Sequence, residues 1–425
     1  MIDKLIQLAK KGFDGIIDHR KDNSSYTLTD YLMTGFAVFS LKDPSLAQYR
    51  EQYPVREENL RRIYGITNLP GDTALREGLD EVLPGELQKQ FKVQLDVLRE
   101  EGVFEERKVL GKYLSVSVDG TGHYCSGEKG CPQCMVKTHS SGKQSFYHQM
   151  LGAVAVFPTQ STVFPVACEP IVKQDGSSKN DCELNASKRI IPQIRRMLPE
   201  EEIIAIFDAL YINGPHIKAL GAERIRYIIG SKGQTYVDVQ VQRLREKDEL
   251  HTLQWNNGKK ICTTSYANSL ILNGQHQDVL TNYFEYSEVD SKTGEQIFFS
   301  TWITDIPISD EHVKELIEVA RSRWKIENET FNTLKNQGYH FGHNYGHGKK
   351  YLATNFAILT FLAFLVDQAA QHLDKSFQAA KETCRSFKGL WERVRSVFYL
   401  LPAMSMNAIY RFIVSKQQVN MPALE

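Results

Sequence analysis

Three acids occupy positions where their chemistry could be shared. Asp119 closes an alternating segment, Tyr113 to Asp119, with Leu114, Val116 and Val118 on one face and Ser115, Ser117 and Asp119 on the other. Asp208 closes Ile203-Ile204-Ala205-Ile206-Phe207, a continuous apolar run of the kind buried on both faces of a sheet. Glu327 belongs to a helical pattern whose apolar stripe runs Val313, Leu316, Ala320, Phe331, Leu334. Steps of three and four residues put Arg323 and Glu327 on that stripe, whereas Glu329 falls about 200° away from Glu327 around the helix. Three such carboxylates are oxygen ligands for a hard divalent ion, Mg²⁺ or Mn²⁺. A pair of ions about 4 Å apart activates the attacking oxygen and stabilises the leaving one in an in-line phosphoryl displacement. Arg323 would then contact a phosphate or orient Glu327. Plainer readings stand beside these: a terminal Asp that caps a turn, and an Arg323–Glu327 i,i+4 pair that fastens a helix to its sheet.

The elements that must position these acids can be traced along the chain. Residues 1–108 are expected to be short helices broken at Pro44, Pro54, Pro70, Gly71 and Pro84, with a basic side from Arg50, Arg56, Arg61 and Arg62. From 109 to 223 strands dominate: one ending at Asp119, two more near 146–157 and 161–168, and one ending at Asp208, with a helix over 181–197 capped by Asp181. Asn213-Gly214-Pro215 opens another helix, with proline at an early position. Residues 224–306 are rich in Tyr, Val, Thr and Ile and are expected to form a mostly β insertion. Residues 307–360 carry a long helix from Ser309-Asp310 past Leu334, and 361–425 form a C-terminal helical region.

Composition sets wide bounds. The 425 residues suggest two or three domains. Lys+Arg and Asp+Glu both total 51, so any nucleic-acid footprint has to be local. No run reaches the about 18 consecutive apolar residues of a membrane span, and Phe356 to Val366 is expected to be a buried helix. The N-terminal MIDKLIQLAKKGFDG lacks a signal-peptide core. A cytoplasmic protein that does not enter a membrane is expected, with its seven cysteines as thiols or metal ligands.

Other clusters invite two readings each. Cys131-Pro132-Gln133-Cys134, with Cys125 before it, His139 after and His123 and His148 nearby, would make a structural Zn²⁺ knuckle, or else thiols in a solvated loop. Cys168, Cys182, Cys262 and Cys384 suit a core. His343, His347 and Lys349 would contact DNA phosphate, or form an ordinary polar surface. Glu183 is a helix first-turn acid, or a group behind the site. Trp255 and Trp302 are core residues, or stack on an unpaired base.

The motifs together resemble the DDE transposases of bacterial insertion sequences, in the broad IS4-like group. The residues that carry this are Val118-Asp119-Gly120-Thr121, Ile206-Phe207-Asp208-Ala209-Leu210-Tyr211 and Arg323-Trp324-Lys325-Ile326-Glu327-Asn328, in that order. Lys179-Asn180-Asp181-Cys182-Glu183, His343-Asn344-Tyr345-Gly346-His347-Gly348 and Leu41-Lys42-Asp43-Pro44-Ser45 add to it. The resemblance implies an α/β chain: a ribonuclease H-like mixed-sheet core flanked by helices, a β insertion and an α-helical N-terminal domain that binds DNA. It also implies metal-dependent cleavage at terminal inverted repeats through Asp119, Asp208 and Glu327, strand transfer into target DNA, and a homodimer in the synaptic complex. The Arg-x3-Glu spacing of the family's last helix is kept by Arg323 and Glu327. The family's Tyr position is Ala320 here, and its Lys position is Leu334, with Lys335, the phosphate-binding candidate, one residue later. A nuclease that does not join strands and a DNA-binding relative without catalysis are the alternatives.

Overall fold

The alternation that begins at Tyr113 builds the central strand of one mixed sheet. β1 (Tyr113–Ser126) runs through Asp119 instead of ending there. Its apolar face stops at Val118, but the backbone keeps pairing with β3 (Gln144–Phe157) as far as Ser126↔Phe146, past a register shift between Gly122 and Tyr124. The computed structural model describes residues 1–18, 20, 25–51, 54–128, 130–172, 182–233 and 235–415.

The remaining strands are β2 (Met135–Thr138), β4 (Gln160–Ile171), β5 (Glu202–Phe207), β6 (Ile225–Ser231), β7 (His251–Asn257), β8 (Lys260–Asn273), β9 (His276–Asp290) and β10 (Gln296–Thr304). They lie in the order β2-β3-β1-β5-β6-β10-β9-β8-β7, with β4 on β3. β1, β5 and β6 are parallel, and the other pairs are antiparallel. The apolar run of β5 explains its central place, since Ile203 through Phe207 are all 0% exposed. Burying such side chains stabilises by about 1.5–3 kcal/mol each for the larger ones. β6 joins the sheet as a parallel neighbour of β5, and β10 continues it without a break. The boundary expected at 223/224 therefore falls inside a continuous sheet. The β-rich segment also holds a helix, Tyr236–Glu246, with a Thr235/Asp238 capping box.

The expected long helix is interrupted. Val313–Arg321 is α-helical, a tight turn follows at Ser322–Arg323, Ile326–Phe331 is a π-helical turn, and Asn332–Asn336 resumes the α form. The turn is closed by the short-range bonds Arg323 N–H to Ala320 O, Lys325 N–H to Ser322 O and Ile326 N–H to Arg323 O. Neither glycine nor proline stands at the break. Its anchor is Lys325, buried, whose Nζ donates to the carbonyls of Phe157 (2.5 Å), Pro158 (3.0 Å) and Gln160 (2.5 Å) at the β3–β4 turn.

Helix Leu352–Leu373 crosses the boundary expected at 360/361. It has the length and hydropathy of a membrane span, longer than the run Phe356 to Val366 suggested, and 94% of its most apolar window is buried within the protein. It packs on β4 and on helices Leu28–Ser40, Asp72–Asp80 and Pro84–Glu100, so the N-terminal and C-terminal helices share one layer. Inside that layer Lys42 Nζ pairs with Asp367 at 2.5 Å, the Tyr339 hydroxyl donates to Asp367 at 2.7 Å, and Lys42 lies 3.8 Å from the Trp391 ring. Arg56, expected on a basic surface, is buried beside Asp43. Its guanidinium donates to Tyr49 O.

Candidate active site

β1 and β5 run parallel with Ser117 opposite Ile206. Asp119 lies two residues further along β1, and Asp208 is the first residue past the end of β5, so both acids stand toward the same end of these two strands. Asp119 Oδ1 accepts from the Gly120 N–H at 2.8 Å. Asp208 caps the short 3₁₀ turn Ala209–Tyr211 by accepting from the Leu210 N–H at 2.9 Å. One capping oxygen leaves the other carboxylate oxygen of each acid for further partners.

Arg323 brings in the third acid. One guanidinium nitrogen donates to Asp119 Oδ2 at 2.8 Å and another donates to Glu327 Oε1 at 2.8 Å. The expected i,i+4 pair of Arg323 and Glu327 is present, and the same guanidinium reaches across to the sheet at Asp119. Glu327 is not in a buried stripe, however; its side chain is 51% exposed. The turn at Ser322–Arg323 and the wider π turn rotate it out of line with Ala320 and Phe331. Its open position spares it the cost of burying a carboxylate. Asp119 is more enclosed: burial pushes its carboxyl up to about 6, with the Arg323 charge opposing the rise.

A fourth acid joins them. Glu183, at the start of helix Glu183–Met197, packs against the backbone beside Asp119: a Cβ on Gly120 would stand 2.4 Å from Glu183 Oε1. The Tyr211 hydroxyl donates to Glu183 Oε2 at 3.4 Å. Burial, and then the negative charge of Asp208, raise Glu183 above the usual carboxylate range. The sequence signal for this placement is weak, because a first-turn acid is explained by the helix dipole alone. The expected cap, Asp181, lies outside the described residues.

The other candidates separate. Lys335 is exposed on the helical segment Asn332–Asn336 that follows the π turn of Glu327, and His343 is exposed with its ring edge-on to Tyr345. Lys349 is exposed, while its backbone N–H is held by Asp80 at 2.7 Å. Trp302 is buried and stacked on Phe284, and Trp255 stacks on Tyr286. Cys168, Cys262 and Cys384 are buried as expected, whereas Cys182 is exposed at the start of its helix.

The four side chains expected to make a knuckle do not all meet. Cys125 is exposed on β1, and exposed His139 places Nε2 2.5 Å from the Ser145 hydroxyl in its own hairpin. Cys125 pairs with Tyr147, whereas its neighbour Tyr124 pairs with His148, so strand alternation puts Cys125 on the face opposite His148. Cys131 and Cys134 instead meet His148, on β3, and His347, a residue expected on the DNA-binding surface.

A profile of the transposase DDE domain matches residues 111–365, a span that begins just before β1 and includes Asp119, Asp208 and Glu327. The chain belongs to this transposase family. No curated protein matches it. Among solved structures it is similar to a piggyBac transposase, in a cryo-EM synaptic complex with hairpin DNA, with 9% identity and a TM-score of 0.38 over 99% of this chain and 83% of that one.

Proposed function

We propose that the chain cleaves DNA at the terminal inverted repeats of its own element and transfers the freed strand into a target, with Asp119, Asp208 and Glu327 as the catalytic acids. The observation that carries this reading is the bridge from Arg323 to both Asp119 and Glu327, with Asp208 in the turn just past the end of the parallel neighbour of the Asp119 strand. The donor set fits hard cations, because the three acids offer only oxygen and Glu327 is open to solvent. Divalent ions bound there, Mg²⁺ or Mn²⁺, supply the electrophilic activation that phosphoryl transfer needs.

The chain's own residues have separable tasks. Asp119 holds its ligand oxygen on a strand and Asp208 in the turn that closes the next one, each fixed by one backbone N–H. Glu327 closes the set from a turn that is anchored through Lys325. Arg323 compensates two carboxylates in the free protein; once cations take over that compensation, its planar fork is suited to a substrate phosphate. Lys335, His343 and Lys349 lie exposed beyond Glu327 and would track the backbone of the bound duplex.

A ribonuclease H-like core is supported by the antiparallel run β1-β3-β4 set against the parallel run β1-β5-β6. The IS4-like assignment rests on the ordered acid motifs and the Arg-x3-Glu spacing. A homodimer would bring two ends together, and a cytoplasmic location gives access to DNA.

Joining separates this reading from a nuclease of the same fold. A duplex with a pre-cut terminal-repeat 3′ end is incubated with plasmid target, Mn²⁺ and the chain. We expect covalent end–plasmid products. Cutting of the uncut repeat without any joined product would assign the chain to hydrolysis alone.

A further inference from the structure

Four side chains from distant parts of the sequence converge beside the hairpin that follows Asp119. Cys131 and Cys134 precede β2, His148 lies on β3, and His347 follows the Glu327 segment by some distance. One ligand atom from each lies within 4.8 Å of all the others. The two sulfurs are 3.5 Å apart. His148 Nε2 is 3.3 Å from Cys131 Sγ and 3.3 Å from Cys134 Sγ, and His347 Nδ1 is 3.7 Å from Cys134 Sγ. A tetrahedron around Zn²⁺ with Zn–S of about 2.3 Å and Zn–N of about 2.0 Å has S–S and S–N edges of roughly 3.5–3.8 Å. The four measured edges fall close to that range.

Hydrogen bonding accounts for this cluster poorly. His148 Nε2 carries either one lone pair or one proton, yet it faces two sulfurs at equal distance. A single proton satisfies one of those contacts, whereas a central cation satisfies all of them. Thiolate and imidazole together select a soft or borderline metal over Mg²⁺. The surroundings hold the ligands in place: Tyr124 lies edge-on to the His347 ring at 3.9 Å, and Cys134 and His148 are buried.

We infer that Cys131, Cys134, His148 and His347 bind one structural Zn²⁺ ion that clamps the β1–β2–β3 hairpin to the segment after Glu327. The clamp extends to the N-terminal helices. Next to His347, Gly348 has φ +66°, and a Cβ there would stand 2.1 Å from Asp80 Oδ1. Asp80 in turn accepts from the N–H groups of Lys349, Lys350, Tyr351 and Leu352 at 2.7–3.0 Å. The ion thus ties together the strand carrying Asp119, the segment following Glu327 and the helix Asp72–Asp80.

Metal analysis of the purified full chain tests this. We expect one zinc per chain in the wild type, retained after dialysis with excess Mg²⁺. Cys125→Ser/His139→Ala should keep it, and Cys134→Ser or His347→Ala should lose it, with a melting temperature lower by several degrees. Should those variants not fold, the wild type refolded with Co²⁺ gives a second readout, a thiolate-to-cobalt charge-transfer band that Cys125→Ser leaves unchanged. The inference is overturned by a folded wild-type chain that contains no zinc and takes up no Co²⁺. It is equally overturned by a Cys131–Cys134 disulfide in the freshly purified protein, or by zinc that Cys125→Ser/His139→Ala abolishes.

Discussion

Burial holds the Asp119 carboxyl near 6, so its charged form is disfavoured in the folded protein without a cation. The sign follows from linkage. A carboxyl raised above its unfolded value of 3.8 favours the fold most below that value and loses this contribution as pH rises through about 6. A bound cation reverses the preference, because it favours the anion. The rise in melting temperature caused by Mn²⁺ should therefore be small at pH 5 and should grow through pH 6 to a plateau near pH 7. A Mn²⁺ effect that is flat across this interval would dissociate Asp119 from the cation. Glu183 makes a second residue-scale case. Glu183→Gln should weaken Mn²⁺ binding and slow cleavage by about 10-fold, the range for groups that support metal ligands. Glu329→Gln should change neither. Full activity in Glu183→Gln would reduce Glu183 to a helix-end acid. The sequence marks Asp119, Asp208 and Glu327 through their settings, but offers Glu183 only as one of two readings. Its importance comes from contact with Gly120 across 63 positions of chain, and no local pattern encodes that contact.

At the scale of elements, the Glu327 segment combines a legible part with an illegible one. Val313, Leu316, Ala320, Phe331 and Leu334 are all buried, as their spacing requires. The break at Ser322–Arg323 was not legible, because it lacks glycine and proline and depends on Lys325 reaching three carbonyls of the β3–β4 turn. Lys325→Met should leave those acceptors unpaired and lower stability by about 2–4 kcal/mol in urea unfolding. It should also reduce cleavage, because Glu327 is only two residues further along the chain. Unchanged stability would mean that the turn is held by its apolar neighbours alone. The strand ending at Asp119 was misjudged for a related reason: side-chain alternation stops at Val118, whereas backbone pairing does not depend on it.

For the whole molecule, the segments distinguished by composition are joined in space. The β-rich segment extends the same sheet, and helix Leu352–Leu373 is wrapped by helices from both ends of the chain. The Leu41-Lys42-Asp43-Pro44-Ser45 motif gains a structural meaning, since Lys42 pairs with Asp367 inside this layer. Burial lowers the Lys42 amine and raises Asp367, so each depends on the other to remain charged. Removing one partner of such a pair costs about 3–5 kcal/mol, while replacing both by apolar residues costs less. Lys42→Met should accordingly destabilise the chain more than Lys42→Met/Asp367→Leu, as read by urea midpoints. A double variant as unstable as the single would point to a packing role for Lys42. A net charge of zero concealed any DNA-facing surface, and only the fold shows Lys335, His343 and Lys349 exposed beyond Glu327.

The central claim is that Asp119, Asp208 and Glu327 act together on a DNA phosphodiester. Its most direct test is cleavage of a duplex carrying the element's terminal repeat, with Mg²⁺ or Mn²⁺, by the wild type and by Asp208→Ala. The account predicts cutting at the repeat boundary by the wild type. It predicts about 10³-fold or greater loss in Asp208→Ala, with repeat binding retained. A wild type that binds the repeat but never cuts with either metal, or an Asp208→Ala chain that cuts normally, would contradict it.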